Sequence, residues 1–389
     1  MSKGDHALLS PSGAYKWLNC PASPRLEAEI PEQPSPYAQE GTLAHSVCEI
    51  SAKKYFKKSR PSDYSRRLNT LKKDELWSDE MLHTAETYVD HLAEKAMSFE
   101  SEPYTAFEVR VDISKYVPEA FGRCDCVMFG GNTLIITDYK HGKGVPVSAK
   151  ENPQLMLYAL GALELYQPIF GDSIQHIAIC IDQPRIDSYE SWKCSREELV
   201  HWGKTVVKPV AEKAFAGDGE PNSGPWCRFC RASGICQRQA EQQISAFDDF
   251  KDCKDVGLLS PDQMSVVLKA GQHLVAWFEA VKAQALNKLL EGCSIPGYKV
   301  VEGRSLRVWT NQDAALEKLQ ASGIDRALIY DTVPKTLSQL EKMIGKKQFG
   351  EMVGEFIMKP QGKPTLATAE DTRKEYNSAA SDFKAVAQQ

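Results

Sequence analysis

Residues Gly122–Lys140 read GRCDCVMFGGNTLIITDYK. Two apolar or alternating runs, Gly122–Phe129 and Thr133–Asp138, flank Gly130-Gly131-Asn132, a strong turn signal between strands. The stretch therefore predicts a β-hairpin, with one carboxylate, Asp125 or Asp138, on each strand. Working outward, Ala106–Ile113 alternates as a half-buried strand does, and Ser173–Asp182 reads as a further strand. Between and beyond lie helical patterns at Pro153–Tyr166 and Ser195–Ala216. Upstream, a short helix fits Ser12–Asn19, a longer one starts with Thr42 as its N-cap, and an amphipathic one fits Glu75–Phe99. Helices, a strand meander, a helix, a strand and a helix, in that order, predict an α/β core with a mixed central sheet flanked by helices.

The chain has 389 residues, 42% hydrophobic and 25% charged, which excludes a disordered chain, a collagen and a small disulfide-stapled scaffold. No run approaches about 18 apolar residues, so no membrane span is expected. The start, MSKGDHALLSPSG, lacks a basic region followed by an apolar core. The expectation is a cytoplasmic location with eleven reduced cysteines, serving as core thiols or metal ligands. A boundary near residue 255 is expected, dividing a domain at 1–254 from a mainly helical C-terminal extension at 255–389. That extension opens with a helix at Pro261–Leu290 and a strand pair, Tyr298–Val301 and Ser305–Trp309.

The chemistry concentrates at the hairpin. Period-two geometry puts Asp138 and Lys140 on one side of the chain. Strand carboxylates a few ångströms apart repel one another unless a cation lies between them, and Mg²⁺ or Mn²⁺ takes such hard oxygen ligands. A metal so held activates water and neutralises charge on a phosphoryl oxygen, and an adjacent lysine stabilises the transition state. By itself, Asp-x-Lys is more often a surface ion pair at a strand end.

Four ordered motifs shift that balance: Gly41-Thr42-Leu43-Ala44-His45, Gly122-Arg123-Cys124-Asp125, Asp138-Tyr139-Lys140 and Gln154-Leu155-Met156-Leu157-Tyr158. In this order they resemble the RecB-like branch of the PD-(D/E)xK nuclease superfamily. The resemblance covers roughly residues 8–240. It implies a restriction-endonuclease-like core in which His45, Asp125 and Asp138 bind the metal with the Tyr139 carbonyl. Lys140 is then catalytic, and Gln154 and Tyr158 position DNA or support the site. Glu108, on the preceding strand, is a candidate extra acid against the plainer reading of an exposed strand glutamate. Glu49, one turn beyond His45, is either support for the site or a solvated side chain.

Cys227, Cys230 and Cys236 form C-x2-C-x5-C, three thiolates short of one ligand, and Cys20 is the best candidate for the fourth. This resembles the CRISPR-associated RecB-like exonucleases and AddB-type subunits, where such cysteines hold a [4Fe–4S] cluster that pins the chain ends around the nuclease core. Zinc is the alternative occupant. The other seven cysteines read as ordinary thiols.

The stretch Lys53–Lys73 carries nine basic residues against Asp63 alone, with Tyr55, Phe56 and Tyr64 among them. Such a run suits contact with DNA, or a solvated helix face. Lys143 and Lys150 follow Lys140 and are placed to meet a DNA backbone. The segments Pro296–Arg304 and Gly362–Thr365 resemble the tail of a phage and prophage family of RecB-like proteins of unknown function. The resulting expectation is a Mg²⁺- or Mn²⁺-dependent DNA exonuclease with a structural [4Fe–4S] cluster, working with phage recombination or replication proteins. The alternative is a non-catalytic DNA-end-binding or partner-recruiting module built around a zinc scaffold.

Overall fold

The computed structural model describes residues 7–31, 36–144, 146–246, 259–301, 312–322, 337–353 and 356–357. The chain forms two compact units, Met1–Val301 and Glu302–Gln389. The first unit opens with α1 (Ala14–Asn19) and α2 (Ser23–Ala28), followed by α3 (Pro36–Tyr55), α4 (Pro61–Leu71) and α5 (Glu80–Met97). Strands β1 (Tyr104–Asp112), β2 (Phe121–Gly130) and β3 (Thr133–Tyr139) follow as an antiparallel meander. Helix α6 (Pro153–Leu165) crosses over to β4 (His176–Gln183), which runs parallel to β3, and β5 (Ser188–Ser195) returns antiparallel. The result is an α/β fold with a five-stranded mixed sheet in the order β1-β2-β3-β4-β5. Beyond it lie α7 (Arg196–Trp202), α8 (Lys208–Ala216), α9 (Gln237–Ser245) and α10 (Pro261–Leu290).

Two apolar layers sandwich the sheet. On one face, Val127, Phe129, Leu134, Ile136, Ile177 and Ile179 pack on α6. Residues 155–163 of that helix are buried all round, as a helix enclosed on every side must be. The side chain of Asn152 accepts from the backbone N–H groups of Gln154 and Leu155, and Pro153 stands in the first turn, where a missing N–H does no harm. On the other face, Phe107, Cys126, Met128, Ile135 and Tyr139 meet α3 and α5. Met81, Ala85, Tyr88, Val89 and Leu92 make the buried stripe of α5 at helical spacing. Gly131, at φ +55°, turns the β2–β3 hairpin without the Cβ clash another residue would bring.

Several sequence expectations need revision. Helix α3 starts at Pro36, so Thr42 lies inside it and is no N-cap; its Oγ1 donates back to the Ala38 carbonyl at 3.0 Å. Helix α5 starts at Glu80 rather than residue 75. Strand β5 was not expected, because SYESWKCS is a largely polar edge strand with a weak apolar pattern. Tyr298–Val301 forms no strand, and its expected partner, Ser305–Trp309, lies outside the described residues. The first compact unit runs on to Val301, so α10 belongs with it and the boundary falls well beyond residue 255. The reason is packing: a Cβ on Gly234 would sit 2.3 Å from the Ala280 carbonyl oxygen, so α10 lies directly on the cysteine segment. The second unit shows helices α11 (Gln312–Ala321), α12 (Leu337–Ile344) and α13 (Lys346–Val353). Residues Gly362–Thr365 lie outside the described residues. No described helix is long and apolar enough to cross a membrane.

Candidate functional site

The site forms where the β2–β3 ladder ends. The last paired residues are Cys126 and Thr137, and one step further the same register brings Asp125 opposite Asp138. There β3 leaves β2: Lys140 N donates to the Asp182 carbonyl at 2.8 Å, while Tyr139 N donates to the Asp125 carboxylate at 2.8 Å.

The neighbouring β1–β2 ladder breaks at the same level. Phe107 pairs with Cys126 and Val109 with Cys124, leaving Glu108 and Asp125 unpaired opposite one another. Glu108 has φ +53°, the left-handed region. The alternation of side chains slips across this break. Phe107 and Cys126 face α3 and α5, whereas Val109 and Cys124 face α6. Such a distortion re-aims side chains, and it is a common device beside functional sites. Both carboxylates reach the His45 imidazole of α3. Ligand atoms of His45, Glu108 and Asp125 all lie within 4.8 Å of one another, and His45 Nδ1 is 3.3 Å from Asp125. The Tyr139 ring meets His45 edge-on at 5.3 Å.

Asp138 belongs to a second group on the α6 side. It is 3% exposed, and Lys140 Nζ is 2.8 Å from its Oδ2, off the direction of a hydrogen bond. Gln154 Nε2 contacts Asp138 Oδ1 at 3.4 Å and donates to the Tyr158 hydroxyl at 3.1 Å, while Gln154 Oε1 lies 3.4 Å from Lys140 Nζ. Gly122 accounts for the tyrosine's position. A Cβ there would stand 2.5 Å from the Tyr158 ring, so the ring lies over bare backbone. Nothing comparable constrains Gly41, which has open space around it.

Electrostatics follow from crowding these charges. Burial opposes a charge on His45, but the charge and hydrogen bond of Asp125, with Asp138 behind, outweigh it and lift the imidazolium to about 9. Burial and then Asp125 push Glu108 up to about 7. Burial also raises Asp138, against the pull of Lys140. Lys140 is held above the usual lysine range because Asp138 overcomes its own desolvation. The carboxylates thus hold a proton on His45.

The surroundings are also tied down. Glu49 is bonded by Lys53 at 2.6 Å and Arg67 at 2.8 Å, which lowers its carboxyl and places two of the basic residues beside the site. Lys54 lies over the Tyr64 ring at 4.2 Å. Sequence reasoning missed a partly buried network behind Lys140, centred on His141 and Arg185. The Tyr139 hydroxyl meets His141 Nδ1 at 2.8 Å, His141 Nε2 meets Glu40 at 3.2 Å, and Arg185 joins Glu40 at 3.0 Å and Glu80 at 2.8 Å. Lys143 also reaches Glu80, at 3.1 Å. No local signal links these residues; only the fold gathers residues 40, 80, 141 and 185.

The cysteine segment folds back on the N-terminal helices. Asn222 N donates to Cys20 Sγ at 3.4 Å, Gly224 N donates to Cys227 Sγ at 3.4 Å, and backbone N–H groups of Ser23 and Ala232 serve Cys20 and Cys230. Burial raises the Cys20 thiol, and burial followed by Glu27 pushes Cys230 up to about 12. Cys20 feels the charges of both Cys227 and Cys236, so all four cysteines share one neighbourhood. Glu27 locks the two segments together, bonded by Lys16 at 2.6 Å and by Arg231 N at 2.8 Å.

A family model described as "Protein of unknown function (DUF2800)" matches residues 6–374. The chain belongs to this family. Among solved structures, one described as "Crystal structure of SSO0001" is similar at 14% identity with a TM-score of 0.22, over 56% of this chain and 95% of that chain. At that score the likeness carries no argument about fold or chemistry.

Proposed function

We propose that the chain is a divalent-metal-dependent deoxyribonuclease of the RecB-like PD-(D/E)xK type, with a structural [4Fe–4S] cluster. The observation that carries the reading is the convergence of the four sequence motifs on one sheet end. His45 from α3, Asp125 from β2, the Asp138–Lys140 pair from β3 and Gln154 with Tyr158 from α6 meet there. A Mg²⁺ or Mn²⁺ ion bound beside Asp125 supplies charge neutralisation at the scissile phosphate and a more acidic water. The protein's own contribution is orientation. Asp138 holds the Lys140 ammonium at the strand end, where it donates to the attacking water or a phosphate oxygen. Gln154 bridges Lys140, Asp138 and Tyr158, so lysine and carboxylate move as one unit.

Cys20, Cys227, Cys230 and Cys236 would hold the cluster. Backbone N–H donors meet the sulfurs of Cys20, Cys227 and Cys230 and partly offset the burial that raises the Cys20 and Cys230 thiols. Zinc is the alternative occupant of the same four cysteines. The basic residues of α4 and the end of α3 favour a nucleic-acid substrate. Exonuclease action in phage recombination or replication is the reading the sequence resemblance adds.

The test is cleavage of 5′- and 3′-labelled linear and circular DNA, single- and double-stranded, with Mg²⁺ and with Mn²⁺. Lys140→Ala and Asp138→Ala should abolish cleavage. Undiminished cutting by either variant refutes the site. DNA retained without product by the native protein under both metals favours the non-catalytic end-binding module instead.

A further inference from the structure

We propose that a cavity walled by α9, α10 and the cysteine segment is a nucleotide site, taking a nucleoside monophosphate with its base inward and its phosphate at the mouth. None of its walls comes from the sheet end, so the inference does not depend on the nuclease reading. The cavity holds about 510 Å³, within the roughly 300–1,000 Å³ of small-molecule sites. Lys269, His273, Trp277 and Ala280 recur at three- and four-residue spacing, so one face of α10 is turned to it. Alanines on that face leave room between the larger side chains. The walls are pinned together: Gln284 Nε2 donates to the Arg231 carbonyl at 3.1 Å, and Gly234 lies against the backbone of Ala280.

Charge is the first observation. Arg228, Lys269 and His273 line the cavity and are exposed, which places them at its mouth. Among the described residues none of the three joins a carboxylate. No acidic residue is among the described lining residues, although acids outnumber lysine and arginine in the chain, 52 to 47. Unbalanced positive charge around a concave space favours an anion.

Unmet hydrogen bonding is the second observation. Gln243 is 7% exposed and lines the cavity, yet its side-chain amide has no hydrogen-bond partner among the described residues. The buried Trp277 Nε1–H has none either. Buried polar groups left open cost free energy until a partner arrives. An amide sets a donor beside an acceptor, the pattern on the edge of a nucleobase, and the indole adds a donor and an apolar face. The Ser223 hydroxyl donates to the Gln239 carbonyl oxygen and fixes a neighbouring amide in the same wall. A ligand that is flat and polar-edged at one end and anionic at the other answers both observations. An inorganic anion answers only the first.

Cys227 and Cys230 also border the cavity, whereas Cys20 and Cys236 do not. The space therefore lies to one side of the four-cysteine set rather than at its centre. A nucleotide bound there sits beside whatever metal the cysteines hold, and the two are occupied together. A free nucleotide and the terminal nucleotide of a DNA strand share this chemistry.

The experiment is calorimetric titration with 2′-deoxyadenosine 5′-monophosphate of protein purified without oxygen, carrying its cysteine-bound metal and with no divalent ion added. The nucleotide should bind at one site, with deoxyadenosine and inorganic phosphate each about tenfold weaker or more. Lys269→Ala, an exposed position that folding tolerates, should weaken the nucleotide about tenfold and leave deoxyadenosine unchanged. Gln243→Met should weaken nucleotide and nucleoside alike. Asp138→Ala should bind the nucleotide as the wild type does, which separates this outcome from the fate of the nuclease reading. A 5′-phosphorylated single-stranded oligonucleotide that displaces the nucleotide marks a strand end as the source, and one that fails to displace it marks the free nucleotide. A Kd weaker than about 1 mM, phosphate binding as tightly as the nucleotide, or native affinity in both the Lys269 and Gln243 variants overturns the proposal. So does nucleotide binding confined to protein stripped of its cysteine-bound metal, which makes the cavity that metal's own seat.

Discussion

Removing the Lys140 ammonium should destabilise the first unit as well as stop catalysis. Asp138 is 3% exposed and Lys140 Nζ stands 2.8 Å from it. At an effective dielectric of ~20, that separation corresponds to roughly 6 kcal/mol of attraction. Most of this offsets the desolvation of two charges, and breaking such a pair by removing one partner costs about 3–5 kcal/mol. The Lys140 side chain is 29% exposed, so solvent screens part of the field and the lower end, about 3 kcal/mol, is the expected loss for Lys140→Ala at pH 7. The pH dependence has a definite sign. Burial raises Asp138 in the folded state and Lys140 opposes that rise. Without the lysine the folded pKa climbs further above the unfolded value. The protonated carboxyl is then the form the fold tolerates, so the variant's deficit is smallest in acid and grows as pH rises through that folded pKa. Urea unfolding at pH 5 and pH 7 measures this, and Asp138→Asn combined with Lys140→Ala should recover most of the loss. A single variant within about 1 kcal/mol of wild type at pH 7, or a deficit that does not change with pH, refutes the buried-pair reasoning.

Three further outcomes are expected. Gly122→Ala forces the Tyr158 ring away from a Cβ 2.5 Å distant, so it should lose about 1–3 kcal/mol in denaturant unfolding and slow cleavage by displacing Gln154. In metal-free protein, His45 is held up to about 9, above its unfolded value, so the stability it contributes is present below about pH 6.5 and lost as pH rises through about 9. The stability curve of His45→Gln should be flatter across that window, and divalent-metal binding should release a proton, which calorimetry in buffers of different ionisation enthalpy reads out. Purified without oxygen, the protein should be brown, with broad absorbance near ~400 nm and about four irons per chain. Cys20→Ser should lose most of that iron, and colourless native protein with one zinc sinks the cluster.

The motifs were legible in the sequence because each is local. A strand running into Asp138, a lysine two residues on, Gln154 and Tyr158 one helical turn apart, and cysteines at fixed spacing all follow from backbone periodicity. The hairpin, helix α6 and helix α10 were legible for the same reason. Pro153 and Pro261 mark helix starts, and Gly131 marks a turn that other residues resist. What the sequence misjudged was long-range. Thr42 looked like a cap because Pro36 lies behind a proline-rich run. Edge strand β5 carries too little apolar alternation to announce itself. The boundary near residue 255 was drawn where composition shifts, although α10 packs back onto Gly234.

Glu108 marks the division most clearly. Read by period two, Ala106–Ile113 is an ordinary alternating strand and Glu108 an exposed acid on it. Only the paired β1–β2 ladder shows that one residue on each strand leaves the register, reversing which face its neighbours present. Strand alternation is a property of one chain segment, so the sequence by itself placed Asp125, Asp138 and Lys140 at a strand end and the cysteines in a cluster. Which carboxylate faces His45 and which faces Lys140 depends on how two strands and two helices twist past one another. That depends on packing among residues far apart in the chain, so only the tertiary structure decided it.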